Sequence, residues 1–219
     1  AMTGVYFQIE NDKLTCVATD AHKLVKYGTH HLAGEVTTTF IVPKKALNLL
    51  KNALPAGEGV TISFNKANAF FAFGGMKLVC RLIDARYPDY NAVIPIDNPN
   101  NMTANRSDFQ NSLKRIAIYA NKTTNQVVFE LTDKSLTVSA QDLDFSNEAT
   151  EQIPCTYNGA PMKIAFNSRF LAEMLGVLGS DEVKMEFSTP SRAGILTPVE
   201  EANTNREILM LVMPVMLNN

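Results

Sequence analysis

Short runs in which apolar and polar residues alternate, or in which β-branched and aromatic residues cluster, recur along the chain: "VYFQIE" (5–10), "LTCVAT" (14–19), "VTISF" (60–64) and "FFAF" (70–73). Period two sends successive side chains to opposite faces of an extended backbone, so these runs read as strands. The "NDK" and "GG" between them supply residues that hairpin turns favour. Two stretches follow the helical period instead. "PKKALNLLKNAL" (43–54) is predicted to bury Ala46, Leu47, Leu50, Ala53 and Leu54. In "RSDFQNSLKRIAIYANK" (106–122), Phe109, Leu113, Ile116, Ala117 and Ala120 form an apolar stripe, and Ser107 with Gln110 has the spacing of a capping box. Isolated helices between runs of strands predict an α+β class with antiparallel sheets.

The pattern repeats. "VYFQIENDKLTCVATD" (5–20) aligns without gaps onto "VVFELTDKSLTVSAQD" (127–142), with Val5/Val127, Phe7/Phe129, Leu14/Leu136, Thr15/Thr137, Ala18/Ala140 and Asp20/Asp142 identical. "ALNLLKNALPAGEGVTISF" (46–64) resembles "FLAEMLGVLGSDEVKMEF" (170–187), which places Phe64 opposite Phe187 at nearly the same offset. Two matches in the same order and spacing predict a tandem duplication, with domains over 1–97 and 98–219. The helix at 106–122 precedes the second copy, and its counterpart would fall before residue 1. The chain is therefore expected to start inside a domain of a longer protein.

Close to the C-terminal end stands "LMLVMPVML" (209–217). A membrane-spanning helix needs about 20 apolar residues, and Pro214 interrupts a run half that long. Two readings remain: a buried last strand, or a strand whose end walls a binding site. With 46% hydrophobic and 19% charged residues the chain has the composition of a globular protein. No secretory signal is visible in "AMTGVYFQIENDKL", and a cytoplasmic location is expected. Cys16, Cys80 and Cys155 lack metal-site or redox spacing and are predicted to be free thiols.

A formal net charge of −2 argues against nucleic acid only until the distribution is considered. Lys44, Lys45, Asn48, Lys51 and Asn52 fall on the polar side of the first helix. Asn111, Lys114, Arg115 and Lys122 fall on that of the second, opposed only by Asp108. Acids such as Glu58, Asp84, Asp89, Glu200, Glu201 and Glu207 lie in strands and loops. Basic faces repeated in duplicated domains suit a common phosphate-backbone partner.

Sharper chemistry is thinly supplied. Asp20 and His22 share a face on an extended segment, but no third ligand or nucleophile accompanies them, and His30 and His31 sit in an expected loop. "FGGMK" (73–77) is a hairpin turn rather than a phosphate loop, and "YPDY" (87–90) reads as a turn. Asp84 and Asp89 are the remaining paired acids. No catalytic residue, metal or cofactor is expected. The alternative kept open is a hydrolytic enzyme on duplicated α+β domains with Asp20, His22 and Asp84 as its site.

Four segments then carry a family resemblance: "ATDAHKLV" (18–25), "CRLIDARYPDYNAVIP" (80–95), "YNGAPMKIAFNSRFLAEML" (157–175) and "VMPVML" (212–217). In this order they resemble the bacterial sliding clamp, the beta subunit of DNA polymerase III, over almost the whole chain. The resemblance implies the DNA clamp fold, with most of a middle domain followed by a complete C-terminal domain. It implies a non-catalytic processivity factor in DNA replication. In full-length form that factor is a homodimeric ring around duplex DNA, with sheets outside and helices inside; ring closure is not expected for this fragment. The DNA-facing residues would be Lys44, Lys45, Lys51, Arg106, Lys114, Arg115 and Lys122. Polymerase subunits, the clamp loader and repair proteins would dock short linear motifs in a hydrophobic groove. By position that groove comprises Met2, Thr19, Ala21, His22, Lys23, Leu24, Pro88, Ala92, Val93, Asn167, Phe170, Leu211, Met213, Pro214, Val215, Met216 and Leu217. The tail and residues 19–24 are expected to meet at a seam between the duplicated units. The family's glycine in the early segment is Ala21 here, its arginine is Lys23, and family arginines at Ala92 and Met216 are replaced by apolar residues. Fewer charged contacts to the motif are expected.

Overall fold

A computed structural model describes residues 1–30, 36–199 and 205–217. His31, Glu200 and Glu201 lie outside the described residues. The chain divides into two compact units. The first comprises Ala1–Asp20, Val25–Tyr90 and Asn205–Glu207; the second comprises Ala21–Leu24, Asn91–Thr204 and Ile208–Asn219.

In the first unit the strands are β1 (Gly4–Glu10), β2 (Lys13–Thr19), most of β3 (Lys23–Thr29) and β4 (Thr38–Pro43), followed by helix α1 (Lys44–Ala53) and β5 (Thr61–Phe64), β6 (Asn68–Phe73) and β7 (Met76–Arg81). The first four are ordered β3-β2-β1-β4, and the last three β5-β6-β7. Turn chemistry sets the registers. Asn11, at φ 55°, opens the two-residue loop that pairs Glu10 with Lys13, and Gly74 and Gly75, both at positive φ, pair Phe73 with Met76. Phe7, Phe40, Val42, Ala46, Ala69 and Phe71 form the core. On α1, Ala46 is buried and Leu47 and Leu50 are half-buried against that core, whereas Ala53, expected inside, is exposed. It occupies the last helical position, beyond the reach of the sheet the helix covers.

The second unit contains β8 (Asn100–Asn105), α2 (Arg106–Ile116), β9 (Gln126–Thr132), β10 (Ser135–Asp142), β11 (Asn147–Pro154), β12 (Thr156–Asn158), β13 (Met162–Asn167), α3 (Ser168–Val177), β14 (Glu182–Phe187), β15 (Gly194–Val199) and most of β16 (Arg206–Val212). Its strand order is β11-β10-β9-β13 in one sheet, and β12-β8-β14-β15-β16 along the other. The duplication is thus structural as well as sequential: β11-β10-β9-β13 repeats β3-β2-β1-β4, and the β13–α3 junction repeats β4–α1. Among the described residues the first unit has no counterpart of β8 and α2.

Helix α2 differs from its expected form at both ends. Its N-cap is Asn105, whose side chain accepts from Asp108 N at 3.0 Å, so the Ser107–Gln110 box does not form. Gln110 instead donates to Ala172 O on α3 at 3.0 Å. Gly176 permits that closeness, since a Cβ there would lie 2.8 Å from Gln110 Nε2. At the other end the helix tightens to a 3-10 turn over Ala117–Tyr119; Ala117 is only half-buried, while Phe109, Leu113, Ile116 and Ala120 are buried as expected.

Four fully buried rings run through the second unit. Phe109 packs on Phe129 at 5.6 Å, Phe129 on Phe166 at 5.4 Å and Phe166 on Phe187 at 6.3 Å between centroids. Phe187 is fully enclosed, whereas Phe64, its partner in the repeat, is half-exposed. Phe187→Ala is therefore expected to destabilise the chain by about 3–5 kcal/mol, and Phe64→Ala by less than half of that. Urea unfolding checks the ranking, and equal losses would contradict it.

Arg115 on α2 meets Glu151 on β11 with two parallel bonds, Nε to Oε1 at 2.6 Å and Nη2 to Oε2 at 2.8 Å. The guanidinium holds the Glu151 carboxyl at about 2, below its ordinary 4.5. A depressed folded-state value stabilises the fold above the unfolded value, and that stability is lost as pH falls from about 4.5 through about 2. Arg115→Ala is expected to flatten acid unfolding across this window. Thermal midpoints measured from pH 5 to pH 2 check it, and an unchanged slope would count against the pairing.

Candidate functional site

Residues from opposite ends of the sequence meet in the second unit. β16 buries Met210, Leu211 and Val212, and the chain then surfaces: Met213 is 40% and Met216 71% exposed. The C-terminal run is accordingly a buried strand whose continuation reaches the surface. Pro214 has no N–H, so the main-chain donors of the tail lie on either side of it. Met213 N–H donates to His22 O at 2.9 Å, and Val215 N–H to Ala165 O at 2.8 Å on the edge of β13.

The segment that receives Met213 is bent at Ala21, which has φ 73°. This is the left-handed region in which an L side chain is strained by about 1–2 kcal/mol. The residues after the bend, His22 and Lys23, both reach Phe170 in the first turn of α3. The His22 ring stacks on Phe170 with centroids 6.1 Å apart and planes 26° apart, and Lys23 Nζ lies 4.3 Å from the Phe170 centroid. The same ammonium bonds Glu173 Oε2 at 2.5 Å. Asn167 caps α3, accepting from Arg169 N at 3.0 Å and Phe170 N at 3.4 Å, and its amide donates to Thr124 O at 3.1 Å. Phe170 is thereby presented at a fixed helix start.

The expected groove residues are distributed unevenly. Ala21, His22, Lys23, Asn167, Phe170, Met213, Pro214 and Val215 cluster through these contacts, and Val93, Ala92 and Met216 are exposed in the same unit. Leu24 and Leu211, also expected at the surface, are buried at 2% and 3% and support the site from beneath. Leu217 lines a trough formed with β9, β10 and β13. Met2, Thr19 and Pro88 belong to the first unit, with Met2 and Pro88 exposed. Glu173, the partner of Lys23, was missed in the sequence. The signal available was its place one turn after Phe170 on the same helix.

On the basic faces, Lys44, Lys45, Lys51 and Lys114 are exposed, and α1 has no acid in its first turn. Two expected contributors also make internal bonds. Arg106 donates to Ser180 O at 2.7 Å and Leu175 O at 3.2 Å, fastening β8 and α2 to the end of α3, and Arg115 is held by Glu151. Lys122 is exposed and bonds Ile118 O at 2.8 Å.

No His, Cys, Asp and Glu group among the described residues could hold a metal ion. The three thiols are free, and burial pushes Cys16 up to about 12, which leaves it a poor nucleophile. No helix among the described residues is long and apolar enough to cross a membrane.

Residues 1–89 match the family model of the DNA polymerase III beta subunit, central domain, and residues 91–215 match that of the same subunit's C-terminal domain. The chain belongs to the DNA polymerase III beta subunit family. It is 30% identical over its whole length to the beta sliding clamp of Synechococcus elongatus, of which it covers 59%, and 29% identical over 97% of its length to that of Treponema pallidum, of which it covers 57%. The chain thus spans somewhat more than half the length of these relatives. Among solved structures, the sliding clamp of Pseudomonas aeruginosa bound to griselimycin aligns at TM-score 0.91 and 25% identity, covering 98% of this chain and 57% of that one. The Borrelia burgdorferi subunit in complex with a natural product aligns at 0.90 and 27%, covering 99% and 57%. The fold is that of the DNA clamp.

Ala21 is where membership makes a sharp expectation. Replacing it with glycine relieves the strained φ but adds unfolded-state entropy, so Ala21→Gly should stabilise the chain by about 0.5–1 kcal/mol. A thermal midpoint that falls instead would show that the bend is not strained.

Proposed function

We propose that the chain is the middle and C-terminal part of a DNA polymerase processivity clamp, over 1–97 and 98–219, and that its cluster around Phe170 is a docking groove for short linear motifs. The observation that carries the reading is the bond from Met213 N–H to His22 O, which seats the exposed end of the tail on the segment whose His22 ring stacks on Phe170. Apolar motif side chains fit such a wall, and methionine adapts to anchors of different shape. The clients are polymerase subunits, the clamp loader and repair proteins, and the chain's role is non-catalytic. The hydrolytic alternative, with Asp20, His22 and Asp84 as its site, finds no support among the relatives.

In the full-length form the partner is duplex DNA, encircled by a homodimeric ring and contacted through its phosphates by Lys44, Lys45, Lys51 and Lys114. Lysine suits this role, because a hydrated point charge holds phosphate without the fixed fork that arginine imposes, and a clamp that slides must not grip. Arg106, Arg115 and Lys122 complete the proposed surface, each also making an internal hydrogen bond.

Fluorescence anisotropy with a labelled hexapeptide ending in Leu-Phe tests the groove. Micromolar binding is expected, weakened about tenfold or more by Phe170→Ala and again by Met213→Ala. Binding indifferent to both substitutions, or no binding at all, overturns the reading.

A further inference from the structure

The three-stranded sheet β5-β6-β7 of the first unit has two faces, and the core uses one of them. Ile62, Phe64, Leu78 and Cys80 turn inward to the cluster of Ala69, Phe71 and Ala46 of α1. Period two turns the alternate residues outward. There Phe70 stands opposite Val79 across the β6–β7 ladder, and Lys77 and Arg81 lie two residues to either side of Val79 on the same strand. Lys77, Val79 and Arg81 are exposed, while Phe70 is half-buried with Lys77 Nζ 5.0 Å from its ring centroid. The outward positions of β5 and β6 are uncharged, so these strands turn two cations and no acid to this side.

Beyond Arg81 the basic character continues. Lys66, in the β5–β6 turn, lines with Arg81 and Arg86 a cavity of about 610 Å³ whose lining holds one acid, Asp84. Among the described residues, none of Lys66, Arg81 and Arg86 takes part in an ion pair. The duplication provides a control. Aligning Phe64 with Phe187 sets Thr61 and Ser63 against Lys184 and Glu186 of β14. In the second unit those charges neutralise each other, Lys184 Nζ bonding Glu186 Oε1 at 3.0 Å. A basic outer face is therefore not a requirement of the shared fold.

We propose that this face binds single-stranded nucleic acid without reading its sequence. Phosphates run along Lys77 and Arg81 and on past Lys66 and Arg86, and a base stacks on Phe70 beside Val79. Every base has a π face, so an accessible ring among cations accepts any of them. Lys77 covers that ring in the free chain, and its flexible stem lets it exchange the ring for a phosphate. An acidic peptide would satisfy the cations and leave Phe70 without a partner. Duplex DNA keeps its bases stacked on one another and offers the ring nothing. The face is on the opposite side of the sheet from the core that α1 covers, and the inference does not rest on the duplex contacts proposed for the lysines of that helix.

An NMR titration of the isotope-labelled chain with an oligothymidylate of about 12 residues tests this, with fluorescence anisotropy for affinity. Shift changes centred on Phe70, Val79 and Arg81 are expected. The slope of log K against log salt should be about −0.7 for each phosphate contact, hence about −2.8 for four cations, and Arg81→Gln should remove about 0.7 of it. Phe70→Leu, which keeps an apolar side chain without the ring, should weaken binding at least about fivefold, and so should an abasic strand of equal length. The abasic strand leaves the protein unaltered, so it decides even where Phe70→Leu misfolds. Equal affinity for the abasic strand, displacement by an octaglutamate peptide at equal charge, shifts confined to α1, or no binding at about 1 mM strand in low salt overturns the proposal.

Discussion

Two main-chain hydrogen bonds seat the tail, Met213 N–H to His22 O and Val215 N–H to Ala165 O, and Pro214 between them can make neither. A proline here fixes the phase: the flanking residues must turn their N–H groups to the protein, and their side chains take the remaining directions. Met213 and Met216 are exposed, although each belongs to a run that composition alone would bury. Bonds of this kind survive side-chain substitution, so the position of the wall is independent of the residues that make it up. That separation suits a surface on which side chains tune recognition and the backbone holds place.

The same division of labour runs through the duplication. What the units share is backbone: strand order, the two-residue hairpins and the helix that follows the edge strand. What they do not share is filling. Phe187 is sealed where Phe64 is half-open, and Tyr6 and Val17 give way to Val128 and Ser139. A fold defined by main-chain pairing tolerates such divergence because packing needs only matched volumes, layer by layer.

Much of the fold was legible in the residues because its signals are local. Alternation marked the strands, Asn-Asp and Gly-Gly marked the turns, and the phenylalanines kept their spacing across both copies. The misreadings came from choices between equivalent local options. Asn105 and Ser107 are both good caps, and what decided between them was Gln110 reaching α3 and Arg106 reaching Ser180 and Leu175, contacts distant in sequence. The site was legible only in part, for the same reason. Alternation cannot indicate that Ala21–Leu24 packs with the second unit, and an alanine gives no hint of a left-handed backbone. The family glycine at that position supplied the hint.

Lys23 bears on how the proposed groove would discriminate. A free cation beside an apolar wall would select acidic flanks, but this one lies over the Phe170 ring and bonds Glu173. An exposed pair of this sort adds only about 0–1 kcal/mol to stability, yet it cancels the charge that a ligand would feel. Met216 and Ala92, exposed in the same unit, add no charge. With long-range steering so reduced, association rates should differ little among peptides, and discrimination must rest on the fit of apolar anchors against Phe170, His22 and Met213. Affinity differences would then be differences in dissociation rate.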